Sequence, residues 1–394
     1  MAQNAHGLSS PTVYAMATAA GLAVANIYYN QPMLGLIEAD LPGRAAALVP
    51  TVTQLGYAAG LFLLVPLADA VERRGLIVGQ FLCLAAALVL AALAPSGAVL
   101  LLASLLLGAA ASVAQQIVPF AAHLAAPERR GAATGTVLAG ILTGILLSRT
   151  LSGFVATHGG WREMFWLGAP LALLGGLMMR AALPQARAPE PLGYRALLAS
   201  TAGLWRAFPE LRRAALTQGM IFAAFSAFWT ILAFRLQARF GLDADAAGLF
   251  GLVGATGILA APLAGRLADR RGPRPAVVVG AVLTLVAWLV FGLWPGLAGL
   301  VVGVVILDFA TQAALVSNQH IVFSLRPEAR ARLNTVLMGT MFLGGALGSA
   351  VASAAWTAAG WMGVCAAGVV FGLGAALLQI RRASAQPAAD VPAS

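Results

Sequence analysis

Apolar stretches about as long as a bilayer is thick recur along the whole chain, each closed by a short cluster of arginine, proline or glycine. A helix of ~20 mostly apolar residues crosses the hydrocarbon core. Twelve stretches qualify, near 12–36, 46–69, 75–94, 98–122, 132–156, 162–182, 213–238, 245–268, 275–294, 297–322, 334–357 and 361–381. Most connections are short, which predicts antiparallel helical neighbours. One is long: residues 183–212, "LPQARAPEPLGYRALLASTAGLWRAFPELR", rich in Arg and Pro with an amphipathic middle. It reads as a linker lying partly on the membrane surface. The expected organisation is an all-α membrane protein with twelve transmembrane helices, six in a bundle over 12–182 and six in a second over 213–381.

Composition agrees with that pattern. Hydrophobic residues make up 60% of the chain, charged residues 10%, and mean hydropathy is +0.87. A soluble globule averages ~45–50% apolar and ~25% charged, so this chain cannot cover a water-facing surface. The formal charge is +10, and all 24 basic residues are arginine. They cluster between the apolar runs rather than in an aromatic-interleaved patch, which argues against nucleic acid. Their distribution sets orientation. With the N-terminus in the cytoplasm, 19 arginines fall on the inner side. Arg44, Arg162, Arg235 and Arg239 fall at outer ends, and Arg149 lies inside a span. Both termini are therefore expected in the cytoplasm. The start, "MAQNAHGLSSP", lacks a basic n-region, so the first run reads as a retained span.

Other classes find little support. Cys83 and Cys365 sit inside apolar runs, which predicts neither a disulfide nor a zinc site. No cofactor is expected. The chain has no lysine and so no G-x-x-x-x-G-K-[ST] loop for ATP. No His/Cys/Asp cluster or serine–base pair suggests a membrane enzyme.

The chain also echoes itself at an interval of two hundred residues. "VPLADAVERRG" (Val65 to Gly75) is followed by "GRLADRRGPR" (Gly265 to Arg274), and "APERRG" (Ala126 to Gly131) by "RPEARA" (Arg326 to Ala331). "GGW" ends at Trp161 and "AGW" at Trp361; "TVLAG" (Thr136 to Gly140) parallels "TVLMG" (Thr335 to Gly339). Each echo keeps its topological place, so the halves are related and share one orientation. Parallel halves place a substrate site at their interface near mid-membrane.

These features resemble the major facilitator superfamily. Its loop signature, roughly G-x-L-x-D-R-x-G-R-R, follows spans two and eight. The second copy keeps Gly265, Leu267, Asp269, Arg270 and Gly272; the first keeps Leu67 and Asp69, with the basic pair moved to Arg73 and Arg74. "ANIYYNQPMLGLIEADL" in span one and "GILLSRTLSGF" in span five are similar to bacterial twelve-span drug or sugar:proton antiporters. The resemblance implies a cytoplasmic gate of Asp69, Arg73, Arg74, Glu128, Arg130, Gly265, Asp269, Arg270, Glu328 and Arg330. Physically, an aspartate at a helix end can accept bonds from a neighbouring helix N-terminus, while arginines pair with Glu128 or Glu328. Three departures stand against a drug exporter: Ser104 replaces a span-four arginine, Ile145 follows Gly144 in place of proline, and span one holds no acid.

An ionisable group at a helix centre costs ~2.5–3.5 kcal/mol, so those present are functional candidates. Asp308 in "VVILDFATQ" and Arg149 in "GILLSRTLSG" are the two. The resemblance implies that spans one, four, seven and ten line the cavity. That makes Asp308, with Arg149, the candidate for proton coupling. Tyr29, Asn30, Gln115, Gln116, Trp229 and Gln312 become candidates for substrate contact. A permanent buried ion pair and helix-to-helix hydrogen bonds compete with these roles. The expectation is a monomeric, proton-coupled exporter of a small drug- or sugar-like compound in a bacterial inner membrane, in contact with lipid, solute and proton. The alternative is uptake of a small organic acid, with Arg149 reading its carboxylate.

Overall fold

The computed structural model describes residues 9–185, 193–254 and 272–380. The described chain is helical: α1 (Ser10–Ala25), α2 (Asn30–Asp40), α3 (Ala45–Leu67), α4 (Arg73–Ala92), α5 (Gly97–Ala111), α6 (Ala114–Leu124), α7 (Arg130–Gly159) and α8 (Trp161–Ala182). Then follow α9 (Tyr194–Ala207), α10 (Pro209–Phe240), α11 (Ala244–Gly254), α12 (Arg274–Leu293), α13 (Leu297–Leu325) and α14 (Arg330–Ile380). Among the described residues nine helical stretches are long and apolar enough to cross a membrane, α5 and α6 counting together as one. One of them, α14, holds two predicted spans joined by non-helical Ala359 and Gly360. Together α1 and α2 form the first span, and α11 begins the eighth, whose remainder lies outside the described residues.

Spans one and four are each broken, for one reason. Pro32 has no N–H to give Tyr28, four residues back, and its ring crowds that carbonyl. The chain answers with tighter i→i−3 bonds: Ile27 N to Val24 O at 3.2 Å and Tyr28 N to Ala25 O at 3.1 Å. Pro119 acts alike on Gln115, with Val113 N to Ala110 O at 3.1 Å and Gln115 N to Ser112 O at 2.9 Å. Such 3₁₀ interruptions often mark hinges. Spans seven and ten, α10 and α13, have no proline beyond the first turn and run unbroken.

The echo in the letters is an echo in the backbone. Pro127–Arg129 and Pro327–Ala329 are both single 3₁₀ turns leading into the long helices that start at Arg130 and Arg330. Gly160 and Gly360 both turn the chain with positive φ, 112° and 59°, ahead of Trp161 and Trp361. A side chain at either would clash with its own backbone. Each half also contains glycine-packed crossings. A methyl on Gly21 of α1 would come 2.5 Å from the Gly140 carbonyl of α7, and one on Gly344 of α14 would strike the Gly219 carbonyl of α10. Small residues allow this approach in a membrane, where apolar contact alone drives little association. Of the glycines of "GILTG" and "GTMFLGGALGS", Gly140, Gly144, Gly344 and Gly348 pack helices within a half, whereas Gly339 and Gly345 face Phe62 and Gln54 across the seam.

At the end of the bundle away from the arginine clusters, Asp40 ties α2 to α8. It accepts from Trp161 Nε1 at 3.2 Å and from the Arg162 guanidinium. The Arg162 bond foremost, against a smaller opposing effect of lost hydration, holds the Asp40 carboxyl below its ordinary 3.8. A carboxyl lowered on folding stabilises above its unfolded pKa, and that contribution disappears as pH falls through the lowered value. Asp40→Asn should therefore reduce the melting temperature at neutral pH, with the difference from wild type closing on acidification. A difference independent of pH would contradict this.

Candidate functional site

Arg149 on α7 and Asp308 on α13 are buried, 3% and 9% exposed, and meet around one residue, Trp229 of α10, itself 2% exposed. The Arg149 guanidinium carbon lies 3.9 Å from the Trp229 ring centroid and 4.6 Å from that of Tyr28. Its Nε donates to Gln31 Oε1 at 2.8 Å. Its Nη2 has no hydrogen-bond partner, nor has Asp308 Oδ2, while the Trp229 indole N–H is directed to the Asp308 carboxyl. Burying a guanidinium costs several kcal/mol. Two aromatic faces at about 2 kcal/mol each and one amide bond offset only part of that. The Asp308 charge supplies more through space, since the two groups attract each other, yet the ion pairs of the described residues do not include them.

The eighth span supplies the floor. Gly248, Gly251 and Gly254 stand three residues apart on α11, a spacing that keeps them on one side of a helix. A methyl on Gly248 would come 2.7 Å from the Arg149 carbonyl, and one on Gly251 would come 3.0 Å from Arg149 Cβ. On Gly254 it would come 2.9 Å from Asp308 Oδ1 and 3.1 Å from Trp229 Cζ2. Gly254→Leu is accordingly expected to reduce transport by about tenfold or more, as small displacements of positioned groups do. Gly79→Leu, where a methyl meets nothing within 4 Å, serves as the control; equal losses in both would refute the idea.

Of the other expected contacts, some join this cluster and some do not. Gln312 is half-buried on α13, one turn beyond Asp308. Tyr29 turns the other way, onto α8, where its Cε2 lies 3.4 Å from a methyl built on Gly168; Tyr28 and Gln31 take its place at Arg149. Asn30 donates to Thr53 Oγ1 at 3.3 Å, Gln115 to the Tyr57 hydroxyl at 3.3 Å, and Gln116 to Gln80 Oε1 at 2.6 Å. These bonds lie within the first half and hold its helices together. The glycine stripe was not among the sequence candidates, although its regular spacing was readable.

Among the described residues, most hydrogen bonds between the halves lie at the end away from the arginines. Thr51 Oγ1 donates to Ser349 Oγ at 3.0 Å, Ser353 Oγ to Ala47 O at 2.9 Å, Thr150 Oγ1 to Gly248 O at 3.1 Å, and Asp245 N to Thr157 Oγ1 at 3.1 Å. Deeper in the seam Ser226 bonds Gln54 at 3.2 Å. At the arginine-rich end α9 bridges the halves, with Tyr194 bonded to Leu63 O at 2.8 Å and Ser200 to Arg332 at 2.9 Å.

The gate residues divide likewise. Asp69 pairs with Arg73 at 2.9 Å within its own loop, and Arg74 donates to Leu183 O at 3.3 Å. Glu128 and Arg130 are exposed. Glu328 lies 3.9 Å from Arg326, and Arg330 donates to Phe323 O at 3.2 Å. None of these contacts joins one half to the other. Gly265, Asp269 and Arg270 lie outside the described residues.

Known proteins share this architecture. The "Uncharacterized transporter YgaY" of Escherichia coli O157:H7 is 40% identical over 374 residues, covering 93% of this chain and 94% of its own. The "Chloramphenicol resistance protein" of Streptomyces lividans is 28% identical over 276 residues, 68% of this chain and 70% of its own. The crystal structure of the human organic anion transporter MFSD10 superimposes with a TM-score of 0.68 at 19% identity, over 94% of this chain and all of that one, and at that identity it bears on the fold alone. The model of the Major Facilitator Superfamily matches residues 16–234 and again 214–393, one match for each half. Two matched halves, a polar cluster facing their seam and a transporter alike over nearly its whole length lead to one conclusion: the chain belongs to the Major Facilitator Superfamily and is a transporter.

Proposed function

We propose that this transporter exports a small organic solute across a bacterial inner membrane by alternating access, driven by protons entering through Asp308. The observation that carries the reading is the pair of buried, opposite charges left without a direct ion pair where the two halves meet. A permanent structural pair would have closed. An unclosed one can exchange its partner for a proton or a solute. The seam contacts at the far end, and their scarcity at the arginine-rich end among the described residues, support a state closed to the outside, with the arginines facing the cytoplasm. In the opposite state Asp69 and Arg73 would leave their local pairing and, with Asp269 and Arg270 of the second half, engage Glu128, Arg130, Glu328 and Arg330 across the seam. Similarity to a protein named for chloramphenicol resistance supports export.

Uptake of an organic acid is the second reading, and the free Nη2 of Arg149 favours it. Proteoliposomes with an imposed pH difference separate the two. Exchange against protons collects solute in the acidic compartment, whereas joint entry with protons collects it in the alkaline one. Accumulation insensitive to the pH difference would overturn both.

A further inference from the structure

Opposite charges that attract across a dry interior should meet, and here something prevents it. The Trp229 indole offers its face to the Arg149 guanidinium, while its Cζ2 edge and the Asp308 carboxyl share the space above Gly254. Phe225 and Tyr28 close the remaining aromatic wall around the guanidinium, 5.8 and 4.6 Å from it. Trp229 cannot swing aside, because Phe228 packs edge-on against it at 5.5 Å and is itself stacked on Phe291 at 4.5 Å.

We infer that Trp229 is a spacer that keeps Arg149 and Asp308 from closing into a direct ion pair, so that a solute with no net charge, carrying both a hydrogen-bond acceptor and a donor, bridges them. The inference rests on the transport reading above and specifies its substrate class. Two unpartnered atoms define the bridge, Arg149 Nη2 and Asp308 Oδ2. Arg149 Nη2 can only donate, so it calls for an acceptor such as a carbonyl or hydroxyl oxygen. Ionised Asp308 Oδ2 only accepts, so it calls for a donor. The two protein charges sum to zero, and a solute of zero net charge keeps that balance. A cation or an anion would leave one buried charge uncompensated.

The spacer is testable without solute. Thermal melts of wild type, Arg149→Gln, Asp308→Asn and the double variant form a cycle, repeated in the Trp229→Leu background. The expected cycle shows a through-space coupling in wild type that grows by roughly 2–4 °C once Trp229 is shortened and the ion pair can close. Equal coupling in both backgrounds would overturn the spacer. Trp229→Phe keeps a ring against Arg149 but loses the Cζ2 edge, and should couple less strongly than Trp229→Leu in this cycle, which controls for a general loss of packing.

The solute class is tested by thermal shift and equilibrium binding with three probes: chloramphenicol, uncharged with hydroxyl and amide groups; tetraphenylphosphonium, a cation; and benzoate, an anion. Chloramphenicol should bind, and more weakly by about tenfold in Arg149→Gln, Asp308→Asn and Trp229→Leu, since each loses a buried polar partner or its placement. Trp229→Phe, which keeps one ring but loses the second ring and the indole N–H, should fall between. Binding of a charged probe in preference, or no binding of chloramphenicol, would overturn the class. The transport reading fails separately, if Asp308→Asn retains pH-driven accumulation.

Discussion

Asp308→Asn is expected to bind solute and to exchange it across the membrane, but to lose all response to a pH difference. The substitution keeps the shape that fits beside Gly254 and Trp229 and removes only the titrating group. One proton moved per cycle across two pH units supplies about 2.7 kcal/mol, since each unit is worth 1.36 kcal/mol. That sustains a concentration ratio of about 100. In the variant the ratio should fall to about 1, the passive limit. Solute exchange with no gradient applied should survive, because neither half has lost a packing contact. The measurement is radiolabelled solute in proteoliposomes, gradient against exchange. Gradient-driven accumulation persisting in the variant would remove Asp308 from the coupling role. Arg149 loses an attracting charge in the same variant, so some loss of melting temperature is expected, and Arg149→Gln in addition should recover part of it.

The second large effect concerns the closed end. Thr51 on α3 and Ser349 on α14 bring hydroxyl oxygens within 3.0 Å across the seam, and Thr230 of α10 donates to the same Ser349 oxygen at 3.0 Å. A disulfide needs Cβ atoms ~3.5–4.5 Å apart, a spacing that two side chains in hydroxyl contact come close to. Thr51→Cys with Ser349→Cys should therefore cross-link on mild oxidation and stop transport, and reductant should restore it. The background requires Cys83→Ser, because Cys83 is exposed while Cys365 is buried. Each single cysteine variant should transport normally under oxidant. A cross-linked protein that still carries solute would mean that this end need not open, and alternating access about this seam would be wrong.

The spans, their pairing into halves and the family were legible because each rests on local composition. A twenty-residue apolar run can satisfy its backbone in lipid only as a helix, so counting runs was counting helices. Pro32 and Pro119 accompany the breaks in spans one and four, but Pro170 sits inside the unbroken α8, so the letters alone did not locate them. Pairing within the site was less accessible. Tyr28 and Tyr29 are adjacent and alike, and only the 3₁₀ turn before Pro32 decides that Tyr28 meets Arg149 while Tyr29 meets α8.

What the sequence determined alone was the solvent each segment must live in, because hydropathy and arginine placement act residue by residue. It also singled out Arg149 and Asp308, since a charge in lipid is costly whatever surrounds it. Only the tertiary structure decided what those charges do to each other. Their separation depends on Trp229 from a third helix and on the glycine face of a fourth, and no spacing along the chain encodes the meeting of four helices.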